Sequence, residues 1–217
     1  MKRKKLLCAL LTLILLFSIK PAAAALTDVE RATVIEASTR LPVIRVSVPT
    51  SASVYINPLE LTVRIGGESA DEQIISSYCY LANRSEVPID VDVTVTGSVK
   101  EGSDMTLVSS PTGGTGTSKN AFIYFQMQQT NTSDRDEVRW DAVYDATKHI
   151  IVRNGSPQSK QKIVTLPAKT QDGEVAQGGY APFRLSGDAV KKPSSAWNSK
   201  DGINAVVAFT FTPLSYE

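Results

Sequence analysis

Residues 43–65 read VIRVSVPTSASVYINPLELTVRI, and the spacing of their apolar residues decides the fold class. Apolar and polar residues alternate in residues 43–48 and again in residues 59–65. A period of two residues is typical of strands that bury one face. Pro49 and Pro58 have no backbone N–H to give to a ladder, so they mark strand ends. The stretch predicts the opening strands of an all-β domain, with the first of them at a sheet edge.

The clearest strand pattern is VPIDVDVTV at residues 87–95, where valine and isoleucine occupy every second position. Asp90, Asp92 and Thr94 fall on the opposite face, which we expect to be the outer one. Two carboxylates on an exposed strand are ordinarily solvated, and a calcium site is the alternative reading. The pattern predicts a strand with one fully apolar face.

Similar patterns continue to the end of the chain. We expect Ile123, Phe125 and Met127 of the strand at residues 121–128 to face the core. Further strands are predicted at residues 74–82, 137–144 and 203–213, the last in the middle of a sheet, and residues 148–153 are expected to form a hairpin with residues 160–166. Nine to eleven short strands without a long helix favour a single β-sandwich with Greek-key or jelly-roll connections.

The N-terminus has the composition of a secretory signal peptide. MKRKK precedes an apolar run of about 14 residues and the small-residue segment KPAAAAL. That run is shorter than the roughly 20 residues of a membrane span, although an uncleaved anchor is the alternative. The sequence predicts a signal peptide at residues 1–25, an N-terminal arm at residues 26–42 and a β-sandwich at residues 43–217. The mature protein would be secreted, without a membrane span.

The charge and the cysteine content of the mature chain limit which partners and which disulfide bonds we expect. Removing the five basic residues of residues 1–25 leaves 18 basic and 22 acidic residues, a net charge of −4. A mildly acidic chain without a basic cluster argues against nucleic acid as a partner. Cys79 is then the only cysteine, which excludes an intramolecular disulfide. A buried inert thiol and an intermolecular disulfide both remain open for it.

The chain lacks the residues of common catalytic sites. His149 is its only histidine, which weakens histidine-based hydrolysis and metal binding, and we expect it on a strand facing solvent. No G-x-S-x-G, H-E-x-x-H, Cys-x-x-Cys or P-loop motif is present. The sequence therefore predicts a non-enzymatic protein that needs no metal or cofactor.

Aromatic residues are the remaining candidates for ligand contacts. Trp140 lies in an alternating pattern and is expected in the core. Trp197 lies in the polar segment SSAWNSKDG, where it either covers the end of the core or contacts a ligand. Trp197 and Tyr180 are the residues we would assign to a wall- or matrix-glycan contact.

Three stretches carry a family resemblance: VSVPTSASVYINPLEL at residues 46–61, GGYAPFRLSGDAV at residues 178–190 and AWNSKDGINAVVAFTFTPL at residues 196–214. In layout the chain resembles secreted surface proteins of Gram-positive bacteria, including WxL-type cell-wall proteins and camelysin-like biofilm-matrix fibre proteins. It has neither a W-x-L tripeptide nor an LPxTG-type sorting signal. The resemblance implies non-enzymatic work at the surface or in the matrix and supplies no site residues.

These observations lead to two functional expectations. The first is a cell-surface or extracellular-matrix protein, with self-assembly as one option. In that case the arm at residues 26–42 pairs with a sheet edge, either in its own subunit or in a neighbour, because sheet edges accept extended segments. The alternative is a carbohydrate- or ligand-binding module. An enzyme ranks third.

Overall fold

The computed structural model describes residues 44–58, 63–65, 68–70, 73–77, 79–112, 118–136, 138–141, 143–190 and 197–214. The predicted signal peptide and N-terminal arm therefore lie outside the described residues. Within those ranges the chain forms strands and turns and no helix, so the predicted all-β sandwich is confirmed. None of the described segments is a helix long and apolar enough to cross a membrane.

Thirteen strands are found in these ranges. They are β1 (Val46–Ser47), β2 (Val54–Ile56), β3 (Val63–Ile65), β4 (Glu68–Ala70), β5 (Ile74–Ser76), β6 (Cys79–Asn83), β7 (Ile89–Val99), β8 (Thr106–Val108), β9 (Asn120–Met127), β10 (Ile150–Ile151), β11 (Gln158–Leu166), β12 (Tyr180–Ala189) and β13 (Ile203–Pro213). The strand predicted at residues 74–82 is divided into β5 and β6, which adds one to the predicted number. In the part of the chain that the structure describes, β3 and β4 pair with each other and with no other strand.

The first sheet is built around β12. One edge of β12 pairs with β9. Its other edge pairs first with β6 and then with β5, and the register of β12 against β5 differs by one residue from its register against β6. β5 and β6 are thus one strand broken between Ser76 and Cys79. β1 pairs with β6, and β2 pairs with β5. This arrangement places β1 at the sheet edge, as predicted. β8 and β10 line the far side of β9, β8 in parallel and β10 antiparallel, so the sheet is five strand positions wide.

Among the described residues, the second sheet consists of β11, β7 and β13, in that order, all antiparallel. The alternation predicted for β7 is confirmed, because its apolar side chains are buried and the residues between them lie partly open to solvent. The buried set comprises Ile89, Val91, Val93 and Val95. These side chains face the first sheet and form one wall of the core.

Phenylalanine rings join the two sheets. The ring centre of Phe183 on β12 lies 5.6 Å from that of Phe125 on β9 and 5.0 Å from that of Phe209 on β13. Phe211 extends the row, 6.3 Å from Phe209. Burial of one such side chain stabilises the fold by about 1.5–3 kcal/mol, and tilted ring pairs add about 1 kcal/mol. The phenylalanine row therefore adds ring contacts between the sheets to the burial of the β7 side chains.

Two predicted arrangements are wrong. Residues 150–151 and residues 158–166 do not form a hairpin, because β10 joins β9 in the first sheet and β11 joins β7 in the second. The chain crosses from one sheet to the other between them. β13 is not central either, since its only partner strand among the described residues is β7. An apolar strand can lie at an edge when the opposing sheet covers one of its faces.

Gly187 on β12 offers a test of how closely the first sheet is packed. A Cβ at this position would collide with the backbone carbonyl oxygen of Phe122 on β9, whereas a Cβ at Gly97 would meet the side chain of Val152 at 2.5 Å. A side chain can move more easily than a paired backbone. We expect Gly187→Ala to lower the free energy of unfolding by about 3 kcal/mol and Gly97→Ala by nearer 1 kcal/mol. Urea denaturation measures both values, and equal losses would contradict the packing described.

Candidate functional site

The ladder between β7 and β13 is long and regular. It pairs eleven residues from Ile203 to Pro213 without a register shift. Just beyond its ends, the N–H of Lys100 donates to the carbonyl of Gly202 at 2.9 Å, and the N–H of Leu214 donates to the carbonyl of Pro88 at 2.8 Å. Hydrogen-bonded and non-bonded pairs alternate in an antiparallel ladder. The even-numbered residues of β13 therefore bond to β7, and the odd-numbered ones direct their backbone groups away from it.

These outward backbone groups define what we call the open edge, formed by residues 203, 205, 207, 209, 211 and 213. Five of them carry an N–H, and Pro213 does not. Across the described part of the chain, no strand pairs with this side of β13. An edge of this kind is a template for an additional strand.

The side chains on the same residues are incompletely covered. Val207, Phe209 and Phe211 pack against the core but are only half-buried, whereas their counterparts on β7 are fully buried. The difference follows from the widths of the sheets, because the first sheet extends over a region where the second has no strand in the described ranges. An added strand would cover both the backbone groups and this apolar row.

The other edge of the second sheet is protected. The register of β11 shifts between Lys160 and Val164, and Lys162 there has a φ of 47°, in the left-handed region. Lys162 Nζ lies 3.2 Å from Asp90 Oδ2, and its N–H donates to Asp92 Oδ1 at 2.7 Å. Bulges and lysines are the usual means by which sheet edges avoid pairing. They also give Asp90 and Asp92 protein partners on the outer face of β7.

The edges of the first sheet are short. β1 and β2 contribute two and three residues, and β8 and β10 contribute three and two. Each offers too few consecutive backbone groups for a stable ladder. β13 is therefore the one long, uninterrupted edge in the described structure.

The described chain begins close to one end of this edge. The N–H of Arg45 donates to Ser85 Oγ at 2.9 Å, and the carbonyl of Arg45 accepts from the N–H of Arg84 at 2.8 Å. Ser85 is three residues before Pro88, which binds Leu214 after β13. Three residues span at most about 10 Å. The described chain thus begins, at Ile44, near the C-terminal end of β13.

Lys119 and Asp201 form a buried ion pair near the N-terminal end of β13, and the exposed Asp104 joins it. Lys119 Nζ lies 2.5 Å from Asp104 Oδ1 and 2.9 Å from Asp201 Oδ2. The hydrogen bond to Asp104 raises the pKa of Lys119. Burial raises the pKa of Asp201, but the donors from Asn198, Lys119 and Ser103 outweigh it, so the net shift is downward. Sequence reasoning missed this cluster because its members lie far apart in the chain.

The two predicted ligand contacts are partly buried. Trp197 packs against the core, the arrangement expected of a residue that covers its end. Tyr180 meets the ring of Tyr80 edge-on at 5.7 Å, and Arg135 lies over Tyr80 at 5.1 Å. Cys79 is half-buried, and burial raises the pKa of its thiol, which fits an inert group.

A second layer covers the outer face of the first sheet. The predicted strand at residues 137–144 is wrong, since the described residues there form an irregular segment. Trp140 is half-buried beneath the guanidinium of Arg184, 4.7 Å from its ring, rather than in the core between the sheets. His149 is 5 % exposed instead of facing solvent. The signal was the apolar run AFIYF at residues 121–125 of β9, which is typical of strands buried on both faces.

A shallow open cleft lies on this layer, lined by Asp141, Val143, Tyr144, Asp145, Ala146 and Lys148. Lys148 Nζ lies 3.6 Å from Asp141 Oδ2 and 3.9 Å from Asp145 Oδ2. The described ranges contain no group of three or more metal-ligating side chains.

No family model matches the chain, and no match was found among curated proteins or solved structures.

Amide hydrogen exchange tests the geometry of the open edge. In a monomeric sample without a strand on this edge, we expect the amides of Ala205, Val207, Phe209 and Phe211 to exchange much faster than those of Val206 and Ala208, which bond to β7. Residue-resolved NMR exchange gives this comparison directly. Equal protection of both sets in a monomer would contradict an open edge.

Proposed function

We propose that this protein is a secreted, non-enzymatic β-sandwich of the cell surface or extracellular matrix that assembles by strand addition at the open edge of β13. The observation that carries the proposal is an eleven-residue edge without bulge, lysine or internal proline, beside an apolar row that is half covered. Main-chain pairing of this kind provides affinity, and alternate side chains provide specificity.

The N-terminal arm has the length and pattern to occupy this edge. Residues 26–42 number 17, against eleven in β13. In an extended chain, Ile35, Ala37 and Leu41 would share one face with two threonines, and Glu36 and Arg40 would lie on the other face with Val34 and Ser38. Extended along the open edge, the first face would cover the exposed side of Phe209 and Phe211.

Strand direction favours an arm from a neighbouring copy. The described chain starts near the C-terminal end of β13, so an arm that docks on its own subunit would run parallel to β13. Antiparallel pairing is somewhat more stable per residue, and every other pair in this sheet is antiparallel. An arm from a second copy is free to insert antiparallel. Repetition of that exchange would link subunits into a filament.

The glycan-binding alternative receives less support. Trp197 packs on the core and Tyr180 meets Tyr80 edge-on, so both rings are partly occupied by contacts within the protein.

Val207→Pro tests the edge itself. The N–H of Val207 points away from β7, so proline removes an open-edge donor without removing a bond to β7. We expect the variant to fold and its association to weaken at least tenfold, equivalent to about 1.4 kcal/mol. Sedimentation velocity and electron microscopy of the mature protein give the readout.

Val207→Ala is the matched control, since it loses similar packing but keeps the N–H. It should assemble nearly as well as the unaltered protein. Assembly of Val207→Pro to the same extent as Val207→Ala would exclude pairing at this edge.

Deletion of residues 26–40 tests the occupant. Because the sandwich core lies in other residues, we expect a folded monomer that no longer assembles. Size-exclusion chromatography compares it with the complete mature chain. An unchanged elution profile of assembled material would show that the arm is not the inserted strand.

A further inference from the structure

The outer face of the first sheet carries a cover that is held by one histidine. We call residues 138–141 and 143–149 the aromatic flap. The ring of His149 stacks on Tyr124 of β9, with ring centres 4.9 Å apart and an interplanar angle of 19°. Tyr144 meets Phe122 edge-on at 5.1 Å. These rings seal a face that the apolar side chains of β9 would otherwise expose.

Hydrogen bonds define the protonation state of His149. The N–H of Asp145 points at Nδ1 of His149, 2.9 Å away, and a backbone N–H can only donate. Nδ1 is therefore an acceptor and carries no proton. The ring proton is on Nε2, which lies 3.3 Å from Asp141 Oδ2. The flap is built around a neutral imidazole of one defined tautomer.

A second proton can bind only at Nδ1. It would convert that acceptor into a donor facing the N–H of Asp145, and two donors 2.9 Å apart repel. Asp145 cannot easily turn aside, because its carbonyl accepts from the N–H of His149 at 2.8 Å and its carboxylate accepts from the N–H of Thr147 at 2.8 Å. The imidazole ring must leave its position instead, and with it the stack on Tyr124.

Charged groups around the ring set the pH at which this happens. Burial lowers the pKa of His149 and Lys148 adds to that effect, while Asp141 and Asp145 oppose it. From β11, Lys160 donates to the carbonyl of Thr147 at the edge of the flap. Arg153, which follows β10, acts on Tyr144, and Arg184 of β12 lies over Trp140.

The sign of the effect follows from the lowered pKa. An unfolded or released His149 binds a proton near pH 6.5, and the docked ring does so only at lower pH. The released state therefore holds more protons as the pH falls below about 6.5, and docking loses free energy over that range. Above it the latch is fully effective.

We propose that His149 is a proton-operated latch, whose protonation in mildly acidic surroundings releases the aromatic flap and exposes Phe122 and Tyr124 on the outer face of the first sheet. This device lies on the sheet opposite the open edge of β13 and does not depend on the proposed assembly.

The chain is well suited to a direct test, because His149 is its only histidine and a tag-free sample gives a single imidazole titration curve by NMR. Trp140 in the flap reports release through acrylamide quenching, in a Trp197→Phe background that leaves one tryptophan. Between about pH 7.5 and pH 4.5, we expect quenching to rise with the same midpoint as the imidazole titration, below pH 6.5. Titration of His149 without any change in quenching would overturn the proposal.

Two variants separate the latch from general acid effects. His149→Asn places an amide oxygen near the position of Nδ1 and cannot titrate, so its quenching should stay flat over this range. Asp141→Asn removes a carboxylate that favours the imidazolium, so the midpoint should move to lower pH. An acid transition in His149→Asn like that of the parent, or an unchanged or higher midpoint in Asp141→Asn, would overturn the proposal. The second result stands even if His149→Asn fails to fold.

Discussion

The unequal width of the two sheets is the constraint on which the rest of the structure depends. Five strand positions in the first sheet face three strands in the second. A sandwich buries apolar side chains only where both sheets are present. β7 meets this condition from Ile89 to Gly97, and β13 meets it in part. The same mismatch leaves both the half-covered phenylalanines and the unpaired backbone of β13.

The other sheet edges of the described structure are protected against pairing, and β13 differs from them. β11 carries a bulge and lysines, and the outer strands of the first sheet are only two or three residues long. Both are recognised ways of preventing edge-to-edge association. β13 has no bulge and is not short, and its central residues Val207 and Phe209 are apolar and only half-buried. An edge kept open in a chain that protects its other edges is what a surface for strand addition requires.

The sequence predicted what depends on local periodicity. The alternation of β7, the core face of β9 and the edge position of β1 follow from residue spacing and turn residues. The sequence did not show which strands pair with each other. β10 and β11 are close in sequence, but they belong to different sheets. The position of β13 was missed for a related reason. Periodicity shows that a strand has an apolar face and does not show how many neighbours it has.

The second layer on the first sheet was missed because its side chains contact residues far away in the sequence. Residues 138–144 alternate as a strand would, yet His149 stacks on Tyr124 and Trp140 lies under Arg184, contacts that residue spacing does not show. The apolar run AFIYF at residues 121–125 of β9 was the one indication that both of its faces are covered. Burial of the lone histidine then follows from that cover rather than from any pattern around the residue itself.

Under the proposed assembly, the open edge of β13 accepts the N-terminal arm as a strand. The most direct measurement is an NMR titration of isotope-labelled protein lacking residues 26–42 with a peptide of that sequence. Strand addition predicts that the largest shifts and newly gained exchange protection occur at the amides of Ala205, Val207, Phe209 and Phe211. Binding centred on β1 or β11, or no binding to a folded protein whose complete chain assembles, would contradict it.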